Sequence, residues 1–87
     1  MSKLGRKIIA RNVRALRAAK GMSQEDVAGA VQMDRSYLSQ IENGHYSISI
    51  DTVEKLADLF GVPLHEMLHP DTAAKVEAAS ADKAART

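Results

Sequence analysis

An all-α fold of five short helices around one core is predicted for this chain, on three observations. Forty-five per cent of the 87 residues are apolar, and they recur at helical spacing, with no alternating strand pattern. Residues that start helices (Ser23, Asp34, Ser49) and residues that stop them (Gly21, Asn43, Gly44, Gly61) punctuate the chain at intervals of one short helix. The length suffices for one compact domain, whose stability stays modest unless a partner adds buried surface.

Each element follows from its own residues. Residues 4–20 read as a first helix, with Ile9, Val13 and Leu16 one turn apart and Ile8 and Ala15 widening the apolar face, up to Gly21. Ser23 is placed to cap a second helix over 24–31, and Asp26, three residues on, completes a capping box. Val27, Ala28 and Val31 form its stripe. Asp34 repeats the capping logic for a third helix over 35–42, in which Leu38 and Ile41 point inward while Arg35, Ser36, Ser39 and Gln40 point outward. Asn43 and Gly44 close it with residues that tolerate the left-handed conformation. After a polar loop at 45–47, Ser49 caps a fourth helix with Val53, Leu56, Ala57 and Phe60 toward the core, and Asp51 and Glu54 lie near its positive end. Gly61 stops that helix. Pro63 sits near the start of a fifth, PLHEML, where its missing N–H costs little.

From Pro70 onward the chain is Ala-rich, with Val76 as the single large apolar residue. Residues 1–69 are therefore expected to be the folded domain. Residues 70–87 are expected to be a disordered tail or frayed helix, because an isolated helix of about fifteen residues is marginal in water. Order there would imply docking on a partner subunit.

Charge is unevenly distributed. Residues 1–45 carry eight Lys/Arg against four Asp/Glu, and residues 46–87 carry four against seven, so a net +1 conceals a basic half and an acidic half. Lys3, Arg6, Lys7, Arg11, Arg14, Arg17 and Lys20 fall in the first twenty residues without one acid, which suits a helix lying near a polyanion. Cysteine is absent, which excludes a disulfide framework and a thiolate metal cluster. No apolar run approaches bilayer length, and MSKLGRKIIARN lacks a secretory core, so a cytoplasmic location is expected.

Two amphipathic helices joined by a tight turn across residues 22–44 read as a helix-turn-helix. The SQEDVA opening of the second helix, RSYLSQIENG through the third and LxxLFGVPLHEML at the close resemble Xre-type helix-turn-helix proteins over residues 4–69. That group includes lambdoid phage repressors, restriction-modification controller proteins and small autoregulators. The resemblance implies a lambda-repressor-like domain whose third helix lies in the major groove of double-stranded DNA. Arg35, Ser36, Ser39 and Gln40 would then meet base edges, Arg35 pairing with guanine O6 and N7 and Gln40 with adenine. Gln24 matches the family's phosphate-clamping glutamine. Tyr37, Asn43, His45, Tyr46, Arg11 and Arg14 are further phosphate candidates, with the core as the alternative for Tyr37. Arg17 and Glu42 match a pair that forms an internal salt bridge. A homodimer on an inverted repeat is implied, with Phe60, Val62, Leu64, Met67 and Leu68 as candidates for its interface or for the protein's own core.

Residues 65–69, His-Glu-Met-Leu-His, match the zinc-peptidase pattern H-E-x-x-H literally. Pro70 disfavours a helical His69 and no third ligand is evident, so neither metal, cofactor nor catalysis is expected. The absence of a ligand-binding domain argues against a small-molecule effector. The expected function is a sequence-specific regulator, a repressor or autoregulator that occludes or recruits RNA polymerase. The rival reading is an antitoxin or other protein-interaction module.

Overall fold

The computed structural model describes residues 4–45 and 47–85, and among them every regular element is helical. The helices are α1 (Leu4–Ala19), α2 (Gln24–Ala30), α3 (Arg35–Glu42), α4 (Ile50–Phe60), α5 (Leu64–Leu68) and α6 (Thr72–Ala85). The first five occupy the expected spans to within a residue or two. Ile9, Val13 and Leu16 of α1 join Val27, Leu38, Ile41, Val53, Leu56, Phe60 and Met67 in one core, with α3, α4, α5 and α6 packed on α1 and α2 packed on α3.

Local chemistry accounts for the helix ends. Ser23 Oγ accepts the Asp26 N–H at 3.0 Å and Asp26 Oδ2 accepts the Ser23 N–H at 2.9 Å, a complete capping box. Ser23, through its backbone N–H first and its side chain second, holds the Asp26 carboxyl below its ordinary value of 3.8. Ser49 Oγ likewise accepts the Thr52 N–H at 3.1 Å. Asp34 departs from expectation. It occupies the N-cap position of α3 in an extended conformation, but its side chain makes no capping bond. The turn from α2 to α3 also holds a surprise, because Gln32 adopts φ +56°. That left-handed conformation is the one in which glycine ordinarily ends a helix.

A sixth helix stands where a disordered or frayed tail was expected. Its start is anchored within the same chain. Thr72 and Ala73 are buried, and Val76 packs against the core. Asn12 of α1, only 1% exposed, supplies the anchor: its Nδ2 donates to the carbonyls of Met67 (2.8 Å) and His69 (3.0 Å), and more weakly to Glu66 (3.4 Å). Its Oδ1 accepts the Ala73 N–H at 2.9 Å. One amide thereby joins α1 to the end of α5 and the beginning of α6. Small size is what admits Ala73 to this contact.

Candidate nucleic-acid interface

The outward surface of α3 is built from the two faces of its own sequence. Leu38 and Ile41 are 0% and 2% exposed, and they fix the helix on the core. Arg35 and Ser36 are exposed and Ser39 and Gln40 half-buried, on the polar side. All four expected base-facing residues thus share an accessible surface with Gln24 at the start of α2.

A polar chain holds that surface together. Arg17 Nε donates to Glu42 Oε2 at 2.8 Å and Arg17 Nη2 to Glu42 Oε1 at 3.0 Å, a two-pronged ion pair between α1 and α3. Arg17 Nη1 also donates to the Met22 carbonyl at 3.0 Å, which fixes the entry to α2. Gln24 Nε2 donates to Glu42 Oε1 at 3.2 Å, and Gln24 Oε1 accepts a long contact of 3.5 Å from Arg35 Nη1. Glu42 is 2% exposed, yet it has three donors around it, which is the condition for a buried carboxylate. Gln24 therefore links the buried ion pair to Arg35 besides facing solvent.

The far end of α3 is equally organised. Gly44 adopts φ +71°, its N–H donates to Ile41 O at 3.0 Å and the His45 N–H donates to Gln40 O at 3.0 Å, the paired bonds of a Schellman ending. The His45 ring also meets Gln40, Nδ1 to Oε1 at 3.0 Å. Arg6, which sequence reading left unassigned, donates from Nη2 to Ser47 Oγ at 2.6 Å and pins the α3–α4 loop to α1. Asn43 is exposed at the C-cap. Tyr46 and Lys3 lie outside the described residues.

Several candidates land elsewhere. Arg11 and Arg14 line a groove of about 440 Å³ with Ala15, Ala18, Ala19, Glu77 and Ser80, between α1 and α6. Helix geometry explains this, because Arg11 is turned about 140° around α1 from Arg6. The basic residues of α1 therefore divide into two sets, and Arg6, not Arg11, reaches the loop beside α3. Tyr37 is half-buried against the core and flanks Thr52 and Lys55 of α4. Of the dimer candidates, Phe60 (2% exposed) and Met67 (0%) are filled into the protein's own core and offer nothing to a partner. Val62 and Leu64 are half-buried against that core, and Leu68 is 42% exposed. Leu4 and Ile50, each 59% exposed, are large apolar residues on the surface that the sequence reading did not single out.

The H-E-x-x-H residues take part in the α5–α6 junction. His69 leaves the helix with φ −80° and ψ 129°, so the two histidines do not share the helical face that the zinc pattern requires. His69 Nδ1 accepts the Asp71 N–H at 3.0 Å, and Glu66 Oε2 accepts the Thr72 hydroxyl at 2.8 Å. That hydroxyl bond is the main cause holding the Glu66 carboxyl below 4.5.

Two short helices at the front of a helical core, the second with a polar outer face, define a helix-turn-helix domain. The Helix-turn-helix family model HTH_3 matches residues 13–67, and the chain belongs to that family, the Xre-like group its motifs resemble. It is 37% identical over 65 residues to a hypothetical transcription factor of Neisseria meningitidis, covering 75% of this chain and 61% of that protein. It is 38% identical over 56 residues to the HTH-type transcriptional regulator DdrOP3 of Deinococcus deserti, covering 64% of this chain and 43% of that one. The chain thus spans less than two thirds of the length of these curated relatives. The crystal structure of the restriction-modification controller protein C.AhdI from Aeromonas hydrophila superposes with a TM-score of 0.68 at 34% identity, over 71% of this chain and 94% of that one. Among the described residues no helix is long and apolar enough to cross a membrane.

Proposed function

We propose that this protein is a sequence-specific regulator of transcription that binds double-stranded DNA with α3 in the major groove. The observation that carries this reading is the outer face of α3. Arg35, Ser36, Ser39 and Gln40 are accessible together, on a helix whose opposite side is locked by Leu38, Ile41 and the Arg17–Glu42 pair. Arg35 reads guanine through O6 and N7. Gln24, Asn43 and Arg6 surround that face and supply the phosphate contacts that set register. One such domain covers one half-site, so two copies on a short inverted repeat give the affinity that one module lacks. Leu68, exposed beside half-buried Leu64, is the apolar residue from which the dimer face is built. The protein works in the cytoplasm and controls access of RNA polymerase to the operator.

Selection of bound duplexes from a random library, followed by titration of the winner against a scrambled duplex at two salt concentrations, tests the reading. An inverted repeat preferred by about a thousandfold supports a specific dimer. Weak, unselective binding that vanishes with salt leaves only the electrostatic contribution and overturns the proposal in favour of a protein-interaction module.

A further inference from the structure

The contact between His45 and Gln40 fixes what a base-reading glutamine can offer. A free glutamine amide presents an acceptor and a donor side by side, the pattern complementary to adenine N7 and N6. In this structure Gln40 Oε1 lies 3.0 Å from His45 Nδ1. An amide oxygen can meet that nitrogen only when Nδ1 carries the proton. With its oxygen turned back to the ring, the amide directs its NH2 group outward. Bonds beyond the ring contact hold the arrangement. The His45 N–H is tied to the Gln40 carbonyl at 3.0 Å, the left-handed Gly44 sets the chain direction, and Arg6 fastens the loop two residues on at Ser47. The ring is thus delivered to Gln40 by backbone geometry, although His45 itself is exposed.

We propose that His45 is a positioning residue that turns the Gln40 oxygen away from the groove and biases the amide toward donation, so that Gln40 prefers the acceptor-only edge of guanine over adenine. This rests on the reading of α3 as the DNA-recognition helix. It replaces the adenine pairing expected of Gln40 from residue type alone.

Two measurements test it. The first needs no DNA: the 15N shifts of the His45 imidazole at neutral pH report which ring nitrogen is protonated. The Nδ1–H tautomer is expected, and an Nε2–H tautomer with a bare Nδ1 overturns the proposal. The second is duplex selection with the wild-type protein, Gln40→Ala and His45→Phe, the last keeping a ring but no N–H. Guanine is expected at one position of each wild-type half-site, and Gln40→Ala loses that preference. His45→Phe moves it toward adenine, with guanine discrimination reduced roughly tenfold at that position alone. Adenine already selected by the wild type, or a uniform loss across all positions in His45→Phe, overturns the positioning role. A Gln40→Ala variant with an unchanged site overturns the assignment of Gln40 as a reader, and with it the proposal. A wild-type protein that selects no sequence while His45 shows the Nδ1–H tautomer instead removes the DNA-recognition reading beneath it.

Discussion

The α2–α3 face and the α5–α6 end are both fastened to α1, but by different chemistry. At the front, Arg17 and Glu42 form a charged pair with one partner partly in water, the Arg17 side chain being 22% exposed and that of Glu42 3%. At the back, the neutral amide of Asn12 is 1% exposed and bonded to three carbonyls and one N–H. A charged fastening beside a polyanion contributes electrostatics as well as position. A neutral one sealed in the interior contributes position alone. The difference teaches that α1 separates the surface available for recognition from the joint that holds the closing helices.

Breaking the joint is expected to have the largest effect. Asn12→Ala strands the Met67 carbonyl and the Ala73 N–H, while the His69 carbonyl keeps the Thr72 N–H, for a loss of about 3 kcal/mol, since each buried unsatisfied group costs about 1–3. Chemical denaturation measures it. The comparison sharpens if the variant, assayed below its Tm, keeps the base preference of the wild type, and it fails if Asn12→Ala leaves stability unchanged. The same geometry redirects any test of the tail as a partner-binding element. A truncation must begin beyond Val76, because removing Thr72 and Ala73 takes away buried contacts of the domain itself.

Breaking the charged fastening comes next. Glu42→Gln keeps the shape but removes the charge that faces Arg17 and Gln24. A fully buried pair broken on one side costs about 3–5 kcal/mol; with Arg17 partly solvated, about 2 kcal/mol is expected. Unlike Asn12→Ala, this variant should also blur base preference, because one neutral amide oxygen replaces the two carboxylate oxygens shared by Arg17 and Gln24, which loosens Gln24 where it meets Arg35. Equal stability with sharp preference would show that the two fastenings do not differ in the way argued. Arg35→Ala sits on the same face and gives up only the long contact to Gln24. It should leave Tm unchanged while discrimination at one position of each half-site falls by about 1–3 kcal/mol in duplex selection. A uniform loss at every position would make Arg35 a phosphate contact.

The unequal legibility of the two regions in sequence has the same origin. The front is written in short-range signals, such as the Ser23–Asp26 spacing, the two-faced RSYLSQIE and the Asn43-Gly44 stop, and each can be read within a turn or two of helix. The joint is long-range. Asn12 meets residues more than fifty positions away, and nothing near it in sequence distinguishes a structural asparagine from a solvated one. A signal did exist, since Asn12 interrupts the apolar flank beside Val13 and a polar residue there requires partners. Burial of Phe60 and Met67 was similarly open, because helical periodicity shows which side of a helix is apolar and not whether the protein itself or a second copy covers it. Arg11 and Arg14 are phosphate candidates only where α1 approaches DNA, and they line the groove shared with α6. Their direction depended on where α6 docks.

The smallest expected effect lies within the front, at the turn. Gly21, Gly44 and Gly61 adopt left-handed φ of +66°, +71° and +71°, while Gln32 adopts +56° at the end of α2 with a side chain attached. The Met33 N–H donates to Ala28 O at 2.8 Å, so the ending is a complete Schellman motif and the backbone has no freedom to relax. A non-glycine residue in this region costs about 1–2 kcal/mol, and the greater chain entropy of unfolded glycine returns roughly half of that. Gln32→Gly should therefore raise stability by about 0.5 kcal/mol and leave the selected duplex unchanged, since Gln32 lies beside Lys55 and Asp58 of α4 rather than on the outer face of α3. The opposite sign is expected at Gly44, where Gly44→Ala adds a side chain at the same kind of φ. There the change should also disturb Gln40, because the bond from the His45 N–H to the Gln40 carbonyl depends on that turn. If both substitutions shifted Tm in the same direction, backbone strain would not be what sets these two helix ends apart.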